Sequence, residues 1–249
     1  MDKIARLREM IVSARTICVF TGAGISTPSG IPDFRSENGL YRQGGGGRYT
    51  PEEIISHSFF VKHPELFYEF YKSKMIFPEA QPNIAHRYFA GLPEKGKDVF
   101  VVTQNIDGLH QLAGSREVYE LHGSVHRNYC TKCGKFYSLS EILAQDGVPR
   151  CPIDGAVIKP DVVLYEEPLD EKVVAGAVRR ISQADLMLVI GTSLAVYPAA
   201  SYIRYFGGEN LVLLNKTKTP YSEYAALEIN DDIAAIVAGL EKIPEDQDG

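Results

Sequence analysis

Short apolar runs alternate with amphipathic helical patterns along most of this chain, and this alternation limits the folds open to it. The runs are rich in β-branched residues, lead into polar or glycine-containing loops, and cover residues 16–20, 99–103, 118–121, 186–190 and 211–214. The helical patterns cover residues 64–77, 83–92, 170–182, 198–206 and 232–240, and another opens the chain after Asp2, a predicted N-cap. Strands alternating with helices predict an α/β fold, a Rossmann-like doubly wound parallel sheet covered by helices on both faces. In such sheets ligands bind at the carboxyl ends of the strands.

The composition fits a small folded enzyme and argues against nucleic-acid-binding and membrane proteins. The chain has 249 residues, of which 45% are hydrophobic, and this is enough for one large domain with a small insert. A formal net charge of -6 does not suit a protein that binds nucleic-acid phosphates through clustered Lys and Arg, so no direct nucleic-acid partner is expected. Residues 1–15 do not resemble a signal peptide, and no apolar run approaches the roughly 20 residues of a membrane span. We therefore expect a cytoplasmic protein without a membrane partner.

Two segments interrupt the alternation and suggest how the chain is divided. Residues 26–50 are rich in turn formers and include four glycines at 44–47, which predicts a mobile loop over the ligand. Residues 129–159 contain a cysteine cluster. We expect a dinucleotide-binding domain formed by residues 1–128 and 160–249, with a helical and loop insert at about 36–92, and a small cysteine-clustered, zinc-ribbon-like module at 129–159.

The first predicted strand ends in a glycine-containing turn, Thr21-Gly-Ala-Gly-Ile-Ser26. Its glycines would let backbone N–H groups approach a pyrophosphate. The dinucleotide fingerprint G-x-G-x-x-G would need a third glycine where Thr27 stands and an acidic residue after a second strand, and neither is present. The turn therefore argues against a dehydrogenase, and by itself it is also compatible with an ordinary strand-to-helix connection.

Three polar side chains follow predicted core strands. Asn105 and Asp107 come after the strand at 99–103, and His122 comes after the strand at 118–121. An amide and a carboxylate at the carboxyl edge of the sheet suit recognition of ribose hydroxyls, and histidine suits proton transfer near neutral pH. From the residues alone, Asn105 and Asp107 can also be loop caps, and His122 can be a structural histidine.

The cysteine segment has the spacing of paired zinc knuckles with one substitution. It contains Cys130-Thr-Lys-Cys133-Gly and Cys151-Pro-Ile-Asp154-Gly, so Asp154 stands where a fourth thiolate is usual. Zinc accepts carboxylate oxygen, and we expect a structural zinc site of three cysteines and one aspartate that binds more weakly than four thiolates. The alternative is a module held by packing alone, with three free thiols. The fourth cysteine, Cys18, lies in an apolar run and is expected to be a buried thiol.

Five ordered motifs of the chain together resemble the sirtuins. They are Gly22-Ala-Gly-Ile-Ser26 followed by Gly30-Ile-Pro-Asp-Phe-Arg35, then Thr103-Gln-Asn-Ile-Asp107-Gly-Leu-His110, Glu120-Leu-His-Gly123, the cysteine pairs, and Gly191-Thr-Ser-Leu-Ala-Val-Tyr-Pro-Ala199. The resemblance extends over about residues 15 to 232 and is of the bacterial or archaeal type. It implies an NAD-dependent protein-lysine deacetylase with NAD as co-substrate.

The resemblance also implies a mechanism and a set of NAD-binding residues. The acetyl oxygen of a substrate lysine attacks C1′ of the nicotinamide ribose, nicotinamide leaves, and an alkylamidate forms. The 2′-hydroxyl of the ribose then attacks the amidate carbon, and water releases free lysine and O-acetyl-ADP-ribose. His122 matches the general base that deprotonates a ribose hydroxyl, and Asn105 is the second implied catalytic residue. The residues implied in NAD binding are Gly22, Ala23, Gly24, Ser26, Asp33, Phe34, Arg35, Gln104, Asn105, Asp107, Gly191, Thr192, Ser193 and, at the adenosine end, Asn215, Asp232 and Ile233.

An acetylated peptide or protein substrate is implied to lie as an extended strand between residues 163–167 and 195–197. The matching substrate-binding residues are Val163, Leu164, Tyr165 and Val196. Glu166 stands where the family usually has glycine, and its negative charge would favour basic residues beside the acetyl-lysine. Plain acetyl is the expected acyl group, with longer apolar acyl chains as an alternative.

Two other functions stay open at this point. Mono-ADP-ribosyl transfer or NAD hydrolysis would use the same C1′ chemistry with another acceptor. A protein that senses NAD without catalysis would use the same crevice.

Overall fold

A computed structural model of the protein describes residues 2–33 and 48–242, so Phe34, Arg35 and the glycines at 44–47 lie outside the described residues. The described part contains nine strands: β1 (Thr16–Thr21), β2 (Asp98–Thr103), β3 (Val118–Glu120), β4 (Gly123–Cys130), β5 (Phe136–Ser138), β6 (Ile158–Val162), β7 (Leu186–Ile190), β8 (Asn210–Leu214) and β9 (Leu227–Ile229). Six of them form a parallel sheet in the order β3-β2-β1-β7-β8-β9. In chain order this is 3-2-1-4-5-6, the arrangement of dinucleotide-binding sheets. The predicted Rossmann-like sheet is confirmed, and the strand order reverses between β1 and β7.

Helices cover both faces of this sheet. One face packs against Lys3–Ser13, Ile84–Gly91 and Ile233–Lys242, and the other packs against Glu171–Ile181 and the 3₁₀ helix Ala199–Tyr205. Asp2 caps the first helix as predicted, because its side chain accepts a hydrogen bond from the Ile4 amide. The other α-helices are Pro51–Ile54, His57–Lys62, Pro64–Lys74, Leu109–Leu112 and Leu139–Leu143, and the other 3₁₀ helices are Ala23–Ile25, Thr27–Ser29, Leu92–Lys95 and Ser222–Tyr224.

The α-helix expected at 198–206 is a 3₁₀ helix instead. The Pro198 carbonyl accepts the Ser201 amide at 2.9 Å and the Ser201 hydroxyl at 2.6 Å. This pairing closes the tighter i to i+3 turn, because the serine side chain competes with the helical backbone for the same acceptor.

The second sheet is antiparallel, in the order β5-β4-β6. Helices from residues 51–74 pack on it, and Phe59, Phe67 and Tyr71 share one apolar core with Val125 and Leu164. The helical insert and the second sheet therefore form one unit above the carboxyl edge of the parallel sheet. The predicted division of the chain into residues 1–128 with 160–249 and a module at 129–159 stays a prediction. Within residues 2–33 and 48–242, no helix is both long and apolar enough to cross a membrane.

Candidate functional site

A cavity of about 560 Å³ opens between the carboxyl edge of the parallel sheet and the second sheet with its helices. Its size is that of a pocket for a cofactor-sized ligand. The predicted residues that line it are Gly22, Ala23, Ser26, Asp33, Gln104, Asn105, Asp107, His122, Val163, Leu164, Tyr165, Gly191, Thr192, Ser193 and Val196. The cavity lies where the strand order reverses, so the fold brings together residues that are far apart in the chain.

The glycines after β1 bring two loops into backbone contact. The Gly22 amide donates to the Ile190 carbonyl at 3.0 Å, and the Gly24 amide donates to the Gly191 carbonyl at 2.8 Å. A Cβ atom on Gly24 would lie 2.6 Å from the Gly191 Cα atom, and Gly191 itself has a φ of +60°. Gly22 lines the cavity and Gly24 does not, and the approach of other backbone N–H groups of this turn to a pyrophosphate stays a prediction. The Gly22 and Gly24 amides instead join the turn after β1 to the end of β7 and the loop that follows it.

Asn105, Ser26 and Asp107 form a hydrogen-bonded group at the end of β2. The Ser26 hydroxyl donates to Asp107 Oδ2 at 2.7 Å, and Asn105 Nδ2 donates to Ser26 Oγ at 3.1 Å. Asp107 Oδ1 accepts from the Leu109 amide at 2.9 Å. Burial raises the pKa of Asp107, and the bonds from Leu109 and Ser26 oppose that rise. The group thus presents an oriented amide, hydroxyl and carboxyl in one corner of the cavity.

His122 lies between β3 and β4 and is held by the backbone of a neighbouring loop. Its Nδ1 atom is 2.9 Å from the Gln104 carbonyl oxygen. A carbonyl can only accept, so Nδ1 carries the hydrogen and Nε2 has the lone pair. Burial lowers the pKa of His122, against the bond to Gln104, so the neutral form is favoured at neutral pH. The ring is therefore suited to accept a proton at Nε2.

A chain of hydroxyls beneath Asn105 was not foreseen from the sequence. The Thr21 and Thr103 hydroxyls are 2.8 Å apart, and Thr103 Oγ accepts the Asn105 amide at 3.0 Å. Thr21 Oγ also lies 3.0 Å from Nε2 of His110. The available signal was a threonine at the last position of each of two adjacent strands, where hydroxyls can pair across the sheet.

Asn215, Asp232 and Ile233 lie outside the lining of this cavity. Asn215 Oδ1 accepts the Thr192 amide at 2.9 Å, so it supports the loop after β7. Asp232 accepts from the Ala234 amide at 2.9 Å and pairs with Lys216 at 3.0 Å, and Ile233 belongs to the core. Their assignment to the adenosine end stays a prediction.

The predicted peptide-binding segment, residues 163–167, joins the second sheet to the helical insert. The Val163 amide donates to the His122 carbonyl at 3.0 Å. The Tyr165 amide donates to the Ile55 carbonyl, and the His57 amide donates to the Tyr165 carbonyl, each at 3.0 Å. Among the described residues, no backbone hydrogen bond uses the Val163 carbonyl or the Glu166 amide. These groups suit main-chain pairing with an extended peptide.

The four predicted metal ligands come together at the edge of the second sheet. Their ligand atoms all lie within 4.8 Å of one another, with Cys133 Sγ to Cys151 Sγ at 3.7 Å and Cys130 Sγ to Asp154 Oδ1 at 3.4 Å. Tetrahedral zinc with Zn–S bonds of about 2.3 Å separates two sulfurs by about 3.8 Å, so the residues present fit zinc.

Both turns of the cysteine segment keep the knuckle geometry expected from the sequence. Gly134 and Gly155 have φ values of +70° and +71°, and their amides donate to the Cys130 and Cys151 carbonyls. The aspartate in place of a thiolate therefore leaves the second turn intact.

Comparisons with known proteins agree with this architecture. The model of the Sir2 family matches residues 22–198. An NAD-dependent protein deacetylase of Clostridium perfringens (strain 13 / Type A) is 54% identical over 237 residues, covering 95% of this chain and 97% of that protein. The structure of a Sir2–p53 peptide–NAD+ complex is 40% identical, covers 96% of each chain and superposes with a TM-score of 0.83. A Sir2 variant with a deacetylated p53 peptide and 3′-O-acetyl ADP ribose is 40% identical, with 96% of this chain and 97% of that chain covered and a TM-score of 0.88. The match of the family model, the identity over nearly the whole length and the shared fold together show that this chain belongs to the Sir2 family, the sirtuins.

Proposed function

We propose that this protein is an NAD-dependent protein-lysine deacetylase that transfers the acetyl group of acetyl-lysine to ADP-ribose and releases nicotinamide. The observation that carries the proposal is the His122 ring, fixed through Nδ1 to the Gln104 carbonyl, in the same cavity as the Asn105, Ser26 and Asp107 group. A protein that only held NAD would not need a base of this kind.

His122 has the proton-accepting role. With Nδ1–H bonded to the Gln104 carbonyl, Nε2 takes the proton of a ribose hydroxyl, and the resulting positive charge is stabilised by that same carbonyl. A residue in this role contributes on the order of 10² to 10⁴ to the rate.

Asn105 and Asp107 have an orienting role. They hold the nicotinamide ribose so that C1′ meets the acetyl oxygen of the substrate, with the amide of Asn105 directed by Ser26. Holding two reactants in line is a large part of catalysis in a reaction of this type.

The acetylated peptide pairs with residues 163–167 through main-chain groups such as the Val163 carbonyl and the Glu166 amide. Main-chain pairing accepts many side chains, so the acetyl-lysine itself is the main element recognised.

Zinc, when bound, supplies structural cross-linking alone. Cys130, Cys133, Cys151 and Asp154 would hold it. In the described part of the chain the adjoining core has five buried residues, Cys130, Tyr137, Ile142, Cys151 and Ile158. A core of this size gains much of its stability from a metal. We also propose a cytoplasmic location, because cysteines grouped for a metal are typical of a reducing compartment.

The test is to incubate the protein with NAD and an acetyl-lysine peptide and to identify the products by mass spectrometry. Deacetylated peptide, nicotinamide and O-acetyl-ADP-ribose are expected together, and only when NAD is present. A peptide with unmodified lysine is the matched control.

Each other outcome identifies a competing function. Peptide that gains ADP-ribose would indicate a transferase, and nicotinamide release with unchanged peptide would indicate an NAD hydrolase. Bound but unchanged NAD would indicate a sensor. A longer acyl group removed faster than acetyl would change the substrate class but keep the reaction.

A further inference from the structure

Glu166 adopts a backbone conformation that normally favours glycine. Its φ is +76°, and in the described part of the chain only Leu194 shares a positive φ among residues other than glycine. A side chain in the left-handed region costs about 1 kcal/mol or more, and such a residue persists where the surroundings hold it. The contacts of Glu166 therefore have to offset this cost.

Among residues 2–33 and 48–242, the carboxylate of Glu166 is bonded to one residue, Ser58 of the helical insert. Oε2 accepts the Ser58 amide at 2.9 Å, and Oε1 accepts the Ser58 hydroxyl at 3.0 Å. Ser58 lies in the first turn of the helix His57–Lys62, where amides have no partner inside the helix. The Ser58 donors are neutral and the carboxylate keeps its negative charge, so the expectation that Glu166 favours basic substrate residues stays a prediction.

The neighbours of Glu166 join the same two elements. Tyr165 and Ser56 form a parallel bridge. Glu167 accepts from His57 Nδ1 at 2.8 Å and from the Leu164 amide at 2.9 Å, and it pairs with Lys159 at 3.0 Å. Glu167 thus binds the segment to itself, to β6 and to His57 of the helical insert, and the Glu166 carboxylate adds a second side-chain bond to the insert, at Ser58.

The other end of the peptide-binding segment, at Val163, contacts His122. The Val163 amide donates to the His122 carbonyl, so this bond holds one end of the segment, and the contacts with the helical insert, which include the bonds between Glu166 and Ser58, hold the other. Losing the Glu166 contact would loosen the end of the segment that carries the Glu166 amide, while the Tyr165 backbone bonds to Ile55 and His57 would remain. It would leave the His122 ring and the NAD-lining loops in place.

We propose that Glu166 is a positioning residue that fixes the peptide-binding segment to the helical insert and so determines affinity for the peptide substrate and not for NAD. This inference rests on the proposed function, because it assigns the peptide to residues 163–167.

The test compares Glu166→Gly with Glu166→Gln in the full-length protein. Glycine accepts the positive φ and removes both bonds to Ser58, while glutamine keeps the size of the side chain and one acceptor oxygen. We expect Glu166→Gly to raise KM for an acetyl-lysine peptide about tenfold, and Glu166→Gln to raise it by less. A tenfold rise corresponds to about 1.4 kcal/mol of lost peptide binding. KM for NAD and kcat should stay within about twofold.

Two further variants and one physical measurement complete the design. Ser58→Ala removes only the hydroxyl donor, so it should raise peptide KM by less than Glu166→Gly. Glu65→Gln, an exposed carboxylate on the neighbouring helix, should leave all constants unchanged. Hydrogen exchange of residues 163–167 should be faster in Glu166→Gly, and exchange in β1 and β7 should not change.

Two results would overturn the inference. One is a peptide KM in Glu166→Gly equal to that of the unmodified protein. The other is a parallel loss of kcat and of both affinities, which would mean a general structural role. An unmodified protein that removes no acetyl group would contradict the proposed function instead, so the two failures are distinguishable.

Discussion

Two histidines buried beneath the cofactor turn predict a loss of stability in mild acid. His86 and His110 have relative exposures of 0% and 1%, and their ring centroids are 4.9 Å apart. Burial lowers the pKa of His86 from 6.5 to about 4 and the pKa of His110 from 6.5 to about 3. The unfolded chain therefore binds protons at these positions at a higher pH than the folded chain does. Their contribution to stability is complete above about pH 6.5 and decreases as the pH falls from there toward the folded pKa values.

The magnitude follows from the width of that window. At about pH 5 each imidazole is almost fully protonated in the unfolded chain and almost neutral in the folded one. At about 1.36 kcal/mol per pH unit over about 1.5 units, each histidine lowers the free energy of unfolding by about 2 kcal/mol. The pair lowers it by about 4 kcal/mol, which is a large part of a typical net stability.

The assay is urea unfolding followed by far-UV circular dichroism at about pH 7.5 and about pH 5, for the unmodified protein and for a double variant, His86→Gln with His110→Gln. The double variant is expected to be less stable than the unmodified protein at about pH 7.5, since it loses hydrogen bonds. Its loss between the two pH values, however, should be smaller than that of the unmodified protein by about 4 kcal/mol. Exposed His63→Gln serves as the control and should behave like the unmodified protein. Equal losses in the unmodified protein and the double variant would refute the reasoning.

Three further predictions concern the site. His122→Ala should lower kcat at least 10²-fold, as measured by product analysis, while the Kd for NAD, measured by titration calorimetry, changes by less than about threefold. A variant that keeps its activity would contradict the assignment of His122 as the general base. Gly24→Ala would place a methyl group 2.6 Å from Gly191 Cα and should abolish NAD binding or folding, whereas Gly91→Ala, which meets open space, should leave the calorimetric titration unchanged. Asp154→Cys should slow zinc transfer to a chromogenic chelator and Asp154→Ala should speed it, because a thiolate is the stronger zinc ligand; equal rates in all three proteins would count against a bound metal at this position.

Much of the fold was predictable because buried parallel strands read as continuous apolar runs. The runs at 16–20, 99–103 and 186–190 correspond to β1, β2 and β7, the three strands that meet at the crevice. Strand β9 was not predicted, since Leu227–Ile229 has only three residues and too little pattern to separate it from a loop.

The site was predictable in its members and less so in its contacts. His122 and Asn105 were identified from their places at strand ends and from the resemblance, and both line the cavity. The engagement of Glu166 with Ser58 was not predictable, because the two residues are distant in sequence and meet only when the helical insert packs on the second sheet. The use of the Gly22 and Gly24 amides was missed for a similar reason, since it depends on the position of β7 beside β1.

The direct backbone contact between Gly24 and Gly191 gives the floor of the crevice a fixed width before any ligand arrives. Two loops that already bond to each other lose little conformational freedom when a dinucleotide settles on them, so more of the contact free energy is retained as affinity. A methyl group on either glycine would force the two loops apart. The absence of a side chain at both glycines is thus what lets the two loops hold the crevice in its ligand-binding shape.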